Sequence, residues 1–175
     1  MKKLAIWILA LCCGTTLFAA RGKTTPNGWF DDYEAARKKA RNENKQILVL
    51  FTGSDWCGFC IKLRKNVLDK TSFKSFARKN LVLVFVDSPK HTKLSKHLVE
   101  QNRMLRKKLA GSSGGVPHTV VITPDEEILG NISGCPKDPK DYLKQLSDIV
   151  RSRPRGGARD EKPDDPRDDG RVQRD

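Results

Sequence analysis

The sequence predicts an α/β domain whose mixed central sheet is covered by helices on both faces. Continuous apolar runs at 47–51 and 81–86 are typical of strands that are buried on both faces. A segment with helical spacing separates these two strands, so a helical crossover makes them parallel. The segments 119–122 and 127–132 flank the turn 123–126 and are expected to be strands that form a hairpin. Parallel and antiparallel pairs together make the sheet mixed.

The first twenty residues have the layout of a secretory signal peptide. Two lysines precede an uncharged, mostly apolar run at 4–13, and Ala19 and Ala20 supply small residues for cleavage. The run is too short to span a bilayer comfortably. Large apolar residues two positions before each alanine make the cleavage site imperfect, so an uncleaved membrane anchor stays an alternative. A lipid anchor on Cys12 or Cys13 is disfavoured by the residues that precede them.

The rest of the chain divides into three parts. We expect a flexible leader at 21–27, one folded domain at 28–150 and a charged tail at 151–175. The tail contains no aromatic residue and a single strongly apolar residue, Val172. Such a segment buries too little apolar surface to offset the loss of chain entropy, so the tail is expected to be disordered.

Helical spacing of apolar residues predicts the helices that cover the sheet. A first helix is indicated over 29–43, where one stripe holds Trp29, Tyr33, Ala36 and Ala40. A short helix or a turn is predicted over 73–79, and further helices over 57–69, 92–109 and 139–150. The last of these has Pro139 in its first turn, where proline is well tolerated.

The formal net charge of +13 lies mostly in residues 21–150, which hold 24 basic and 14 acidic residues. A basic surface is compatible with acidic partners, an anionic membrane face or nucleic acid. No nucleic-acid-binding motif is present, and aromatic residues do not alternate with the basic runs. We therefore expect a solvated basic face and no nucleic-acid partner.

Cys57 and Cys60 carry the strongest chemical signal in the sequence. They are three residues apart, at the junction between the strand 47–51 and the next helix. This spacing brings two sulfur atoms within bonding distance with little backbone change, and the unpaired N–H groups at a helix start stabilise a thiolate. Cys57, nearest to that start, is the expected nucleophile, and Cys60 is expected to resolve the mixed disulfide. Trp56 would shield the pair and offer an apolar contact surface.

A structural disulfide and a metal site are the alternatives for this pair. Zinc usually needs four ligands, often in two spaced pairs, and neither the histidines nor Cys135 show ligand spacing to the single CxxC. A purely structural disulfide would not explain the tryptophan beside the pair or its place at a helix start. Loss of the signal segment leaves three cysteines, an odd number, so one thiol has no intramolecular partner.

Several motifs follow one another along the chain in a recognisable order. They are the apolar strand at 47–51, then Ser54, Asp55, Trp56, Cys57, Gly58, Phe59 and Cys60, then Gly115, Val116, Pro117, His118 and Thr119, then the terminal hairpin and helix. In these features the chain resembles the thioredoxin superfamily over about residues 28–150. Within the superfamily it is most similar to exported bacterial thioredoxin-like proteins of the disulfide-bond (Dsb) type.

The resemblance implies a thioredoxin fold and an exported thiol–disulfide oxidoreductase of the bacterial periplasm. It implies no metal or organic cofactor, because the Cys57–Cys60 disulfide is itself the redox group. Reduction or isomerisation of disulfides in exported proteins is favoured over oxidation. A membrane protein is the expected redox partner, and a monomer is the expected state.

The resemblance also assigns roles near the redox pair. Pro117 is expected to be a cis-proline that lies against the pair, and Val116 to offer its backbone to an extended substrate, with Gly58 and Phe59 in supporting positions. Cys135 follows the last strand, in a loop that lines the substrate groove of thioredoxins. It is either a third thiol on the active face or an inert, partly buried cysteine.

The chain departs from thioredoxins at two places. Thioredoxins have Gly-Pro between the cysteines, whereas this chain has Gly58-Phe59, so the reduction potential is not inherited from the family. Thioredoxins also place a buried carboxylate in the strand before the motif, where this chain has Leu50 and Phe51. Proton transfer is therefore expected to use solvent, or Asp55 through water.

A second function class stays open from the sequence. A thioredoxin-fold chaperone or adaptor would bind unfolded or acidic clients through the basic face, and its redox activity would be incidental.

Overall fold

The computed structural model describes residues 24–111 and 115–152. The expected signal peptide, the start of the leader and the tail from residue 153 onward lie outside these residues. The described elements are α1 Tyr33–Asn42, β1 Gln46–Thr52, α2 Gly58–Leu63, α3 Thr71–Asn80, β2 Leu81–Asp87, α4 Lys96–Leu105, β3 His118–Ile122, β4 Ile128–Ser133 and α5 Pro139–Arg151. None of the described helices is long and apolar enough to cross a membrane.

The four strands form one mixed sheet in the order β2-β1-β3-β4. Strands β1 and β2 are parallel, β1 and β3 are antiparallel, and β3 and β4 form the terminal hairpin. The predicted combination of a helical crossover and a hairpin is thus confirmed.

Both faces of β1 are buried, as its continuous apolar run predicts. Alternate side chains of a strand point to opposite faces. Ile47, Val49 and Phe51 pack in one core cluster with residues of α1 and α4. Leu48 and Leu50 pack in a second cluster with residues of α2, α3 and α5. Helices therefore cover the sheet on both sides.

The chain before α1 differs from the predicted helix over 29–43. Helix α1 begins at Tyr33, where the side chain of Asp32 accepts the N–H of Ala35 as an N-cap. Phe30 instead extends the sheet beyond β2, with two backbone hydrogen bonds of 2.8 Å. Trp29 lies 6.3 Å from Phe73, measured between ring centroids. Aromatic packing and sheet pairing with distant residues outweigh the local helical spacing here.

Two predicted helices change geometry along their length. The segment predicted over 57–69 is α2 followed by the π-helical turn Arg64–Leu68. The segment predicted over 92–109 begins later, at Lys96, with Ser95 as N-cap, and ends in the π-helical turn Arg106–Ala110. Both π-helical turns contribute buried residues to the core. Apolar spacing alone does not distinguish α from π geometry over one turn.

The sheet register brings two distant motifs together. In the antiparallel pair of β1 and β3, Phe51 lies opposite His118. The chain that leaves β1 towards the cysteine motif therefore starts beside the chain that enters β3 from Pro117. This edge of the sheet carries the site described next.

Candidate active site

The cysteine pair sits at the start of α2. Cys57 is the N-cap residue, and the N–H of Cys60 donates to Cys57 Sγ at 3.2 Å. The two residues are joined in a disulfide with a Cα–Cα distance of 5.2 Å. Both are buried, with 6% of Cys57 and 4% of Cys60 exposed. A helix start directs N–H groups at the Cys57 sulfur, which favours its thiolate once the disulfide is reduced.

The loop before β3 lies against this pair. The Val116–Pro117 peptide bond is cis. Cys57 Sγ lies 3.6 Å from the carbonyl oxygen of Val116. The carbonyl of Pro117 in turn accepts the N–H of Gly134 at 2.8 Å, which ties this loop to the end of β4. The fold thus brings the Val116–Pro117 bond beside Cys57, and a substrate-binding role for these two residues stays a prediction.

Apolar side chains surround the buried pair. Trp56 is 41% exposed, Phe59 67% and Ile61 42%. The indole N–H of Trp56 donates to the carbonyl of Ser88 at 2.8 Å, which fixes the ring beside the motif. Trp56 and Phe59 are predicted site residues, and Ile61, in the helix predicted over 57–69, adds a third exposed apolar side chain. The exposed apolar surface around the cysteines is therefore larger than the spacing of α2 indicates.

Asp55 holds the loop that follows β2. Its carboxylate accepts the backbone N–H groups of Lys90, His91 and Thr92 at 2.9, 2.8 and 3.1 Å. Desolvation raises the pKa of Asp55, but these three hydrogen bonds outweigh it and hold the pKa below its ordinary value. Asp55 therefore stabilises the loop 90–92, and its carboxylate oxygens bond to that loop and not to the cysteines.

A buried carboxylate does lie near the motif, on a strand that sequence reasoning did not consider. Asp87, at the end of β2, is 3% exposed. It accepts the N–H and the hydroxyl of Ser54 at 2.9 and 2.5 Å. Ser54 and Cys60 line one cavity of about 200 Å³. The sequence signal for this buried carboxylate is an acidic residue directly after the apolar run 81–86. Leu50 and Phe51, at the positions considered for such an acid, are buried apolar residues.

Cys135 is a free, half-buried thiol that follows Gly134 and packs against the core cluster of α2, α3 and α5. Its neighbour Gly134 bonds to Pro117, so the loop lies next to the cis-proline segment. A role as third thiol stays a prediction. In the described part of the chain, no three His, Cys, Asp or Glu side chains converge as a metal site would require.

Comparisons with known proteins agree with this geometry. A Thioredoxin-like family model matches residues 28–124. The disulfide bond reductase DsbH of Chlamydia pneumoniae is 27% identical over 140 residues, which cover 80% of this chain and 83% of that protein. The thioredoxin-related protein DsbJ of Chlamydia pneumoniae is 33% identical over 108 residues, which are 62% of this chain and 31% of the longer relative.

Solved structures give the same fold. A DsbH oxidoreductase superposes with a TM-score of 0.64 at 27% identity, covering 74% of this chain and 92% of the other. A thioredoxin from Thermus thermophilus superposes with a TM-score of 0.51 at 19% identity, covering 69% and 85%, and supports the fold alone. The family model spans more than half of the 175-residue chain and includes the CxxC pair. The chain therefore belongs to the Thioredoxin-like family, as a Dsb-like member of the thioredoxin superfamily with the dithiol site of a thiol–disulfide oxidoreductase.

Proposed function

We propose that the protein is an exported enzyme that reduces or isomerises disulfides in exported proteins. The observation that carries this proposal is the placement of Cys57 Sγ 3.6 Å from the Val116 carbonyl, at a helix start and among exposed apolar side chains. A substrate disulfide held along this surface would meet the Cys57 sulfur. The similarity to a protein named as a disulfide bond reductase supports reduction over oxidation.

The reaction begins with the reduced pair. The Cys57 thiolate attacks one sulfur of a substrate disulfide, a mixed disulfide forms, and the other substrate sulfur leaves as a thiolate. The Cys60 thiolate then attacks Cys57 Sγ, which releases the second substrate thiolate and forms the Cys57–Cys60 disulfide. The substrate gains two electrons and the protein loses two. The disulfide-bonded form described above is the product of this step.

Deprotonation of Cys60 is the step for which the motif supplies no obvious base. We assign it to water in the cavity that Cys60 shares with Ser54. Asp55 is unsuited to this role because its carboxylate oxygens accept three backbone N–H groups.

Substrate binding is assigned to the surface around the pair. An extended substrate segment would lie beside the backbone of Val116 and contact Trp56 and Phe59, which are exposed and apolar. Pro117 and Gly58 would lie on opposite sides of the bound substrate segment. Pro117 belongs to the cis-proline loop, and Gly58 is exposed at the start of α2.

The same proposal includes the compartment, the oligomeric state and the redox partner of the enzyme. The enzyme would work in a bacterial periplasm after export by the N-terminal segment, as a monomer and without metal or organic cofactor. A membrane protein would return it to the dithiol form, because each turnover leaves the Cys57–Cys60 disulfide behind. No nucleic-acid partner is proposed.

Insulin reduction by dithiothreitol tests the activity. We expect the protein to accelerate precipitation of the insulin chains and the Cys57→Ser variant to have no effect. Equilibration in glutathione buffer gives the reduction potential. A value near −120 mV, typical of a strong oxidant, would contradict the preference for reduction.

A chaperone or adaptor is the second candidate, because Phe59 and Ile61 expose apolar surface that unfolded chains can contact. Client binding that is unchanged in a Cys57→Ser, Cys60→Ser double variant would support this function. If the double variant loses insulin reduction and neither it nor the wild-type protein binds clients, the chaperone function is excluded.

A further inference from the structure

A cavity of about 410 Å³ lies between the loop after β2 and helix α4. Apolar side chains of Leu94 and Val99 line it together with the hydroxyl-bearing residues Ser88 and Thr92. Two arginines, Arg103 and Arg106, also line it. Apolar walls with a few polar groups and a cation are typical of a ligand-binding site.

Arg106 is the unusual member of this lining. It is half-buried and makes neither an ion pair nor a hydrogen bond with the described residues. Its guanidinium lies 5.2 Å from the ring centroid of Phe51, and desolvation lowers its pKa. Arg103, by contrast, is paired with Glu100 at 2.6 Å. A half-buried cation without a counter-ion is costly, and an added carboxylate would remove that cost.

The one acid in the lining does not neutralise Arg106. The carboxylate of Asp87 is directed at Ser54, whose N–H and hydroxyl it accepts. Its backbone carbonyl accepts the side-chain amide of Asn102 at 2.9 Å. Within the described part of the chain, the positive charge of Arg106 in this cavity is therefore uncompensated.

The cavity adjoins the redox site through two contacts. The carbonyl of Ser88 accepts the indole N–H of Trp56, the residue before Cys57. On the other side, Arg106 lies over Phe51, which stacks on His118 directly after Pro117. Lys90, 4.5 Å from the Trp56 ring centroid, adds positive charge between cavity and motif. A substrate bound at Cys57 is thus within reach of the cavity.

We propose that this cavity binds an acidic side chain of the disulfide substrate, with Arg106 as the carboxylate partner and Leu94 and Val99 contacting its apolar neighbours. The choice of a substrate as the occupant rests on the oxidoreductase function proposed above. Charge complementarity selects an acidic segment, since the Arg106 guanidinium has no counter-ion among residues 24–111 and 115–152. The site would make the enzyme prefer substrates with acidic residues near the cysteine.

Binding can be measured apart from redox activity. Two peptides without cysteine, identical except for Glu or Gln at alternate positions, are titrated into the oxidised full-length protein and followed by NMR. We expect the Glu peptide to shift the amides of Ser88, Thr92 and Val99 and to bind more tightly than the Gln peptide. Arg106→Gln should raise the Kd of the Glu peptide by at least about tenfold.

Two further variants separate the site from general effects of charge and folding. Arg41→Gln makes the same charge change on α1, where Arg41 pairs with Asp125, and should leave the Kd unchanged. Val99→Glu, at a position that is 54% exposed, should place a carboxylate at the cavity and weaken binding without disturbing the core.

Three results would overturn the carboxylate site. The first is an equal Kd for the Glu and Gln peptides, and the second is an equal effect of Arg106→Gln and Arg41→Gln on that Kd. The third is broadening of the same amide signals that grows with protein concentration in the absence of peptide. That broadening would identify a second copy of the chain as the occupant of the cavity. Failure of insulin reduction with intact peptide binding would reject the proposed enzyme function and leave the carboxylate site standing.

Discussion

Cys57 Sγ lies 3.6 Å from the carbonyl oxygen of Val116, although the two residues are far apart in the chain. The contact depends on the antiparallel register of β1 and β3, which places Phe51 opposite His118. It joins the thiol chemistry of one segment to the half-buried residue Val116 of another. The predictions below test this arrangement and the side chains that hold it.

Replacing one cysteine at a time should distinguish nucleophile from resolving thiol. In Cys60→Ser the mixed disulfide cannot be resolved, so a covalent adduct with a disulfide substrate should accumulate on non-reducing gels. Cys57→Ser should give little adduct, because Cys60 lies inside the first turn of α2 whereas Cys57 is the N-cap residue. Equal adduct yields from the two variants would contradict the assignment.

Gly53 makes room for the indole of Trp56. A Cβ atom at position 53 would lie 2.4 Å from Trp56 Cε2, so Gly53→Ala must displace the ring and break its hydrogen bond to Ser88. We expect the free energy of unfolding to fall by about 1–3 kcal/mol. The indole N–H signal should shift in NMR spectra, and kcat/KM for insulin should fall.

Gly58 provides the matched control, since a Cβ atom there meets nothing within 4 Å. Gly58→Ala should preserve stability and the Trp56 indole signal. A similar loss of stability in both alanine variants would show that the ring contact at Gly53 is not the cause.

Asp55 should stabilise the fold in a pH-dependent way. Its folded pKa lies below the ordinary value, so the ionised form is favoured by folding. Its contribution is complete above the ordinary aspartate pKa of about 4 and is lost as the pH falls through the folded pKa. Unfolding measurements should show Asp55→Asn less stable than wild type at pH 7, with the difference shrinking below about pH 4. A pH-independent difference would contradict this role.

His118 should add a second loss of stability on acidification, in the same direction as that of Asp55 but nearer neutrality. Burial and the charge of Arg106 lower its pKa, and the ring otherwise faces Phe51 and the Ser133 hydroxyl, 2.9 Å from Nδ1. The unfolded state therefore binds the proton more readily, and the stability held above about pH 6.5 is lost as the pH falls below it. Between about pH 6.5 and 5, the unfolding free energy should decline less steeply in His118→Gln than in wild type. Equal slopes in the two proteins would contradict this role of His118.

Cys135 should react slowly with alkylating reagents, because it is half-buried and packs against the core. Mass spectrometry of the oxidised protein should then show the Cys57–Cys60 disulfide with Cys135 unmodified after brief treatment. Rapid alkylation, or a disulfide between Cys135 and either active-site cysteine, would instead support a third thiol that traps or regulates the pair.

Local sequence determines the elements and the chemical motif of this protein. The apolar runs 47–51 in β1 and 81–86 in β2 specify strands buried on both faces, because neither run contains a polar side chain that could face solvent. Cys57 and Cys60 lie three residues apart at a helix start, so their pairing needs no information from the rest of the chain. Pro139 likewise begins α5 where its fixed φ suits a first helical turn.

Tertiary structure decides what surrounds that motif. Phe30 pairs with β2 instead of continuing a helix, and Asp55 accepts backbone N–H groups of 90–92. Asp87, at the end of β2, accepts the N–H of Ser54, which follows β1. These contacts join residues distant in sequence, and local periodicity carries no record of such partners. The dithiol could therefore be found from the sequence by itself. Its contact with Val116 and the position of Arg106 over the Phe51 ring arise only when the sheet and helices pack.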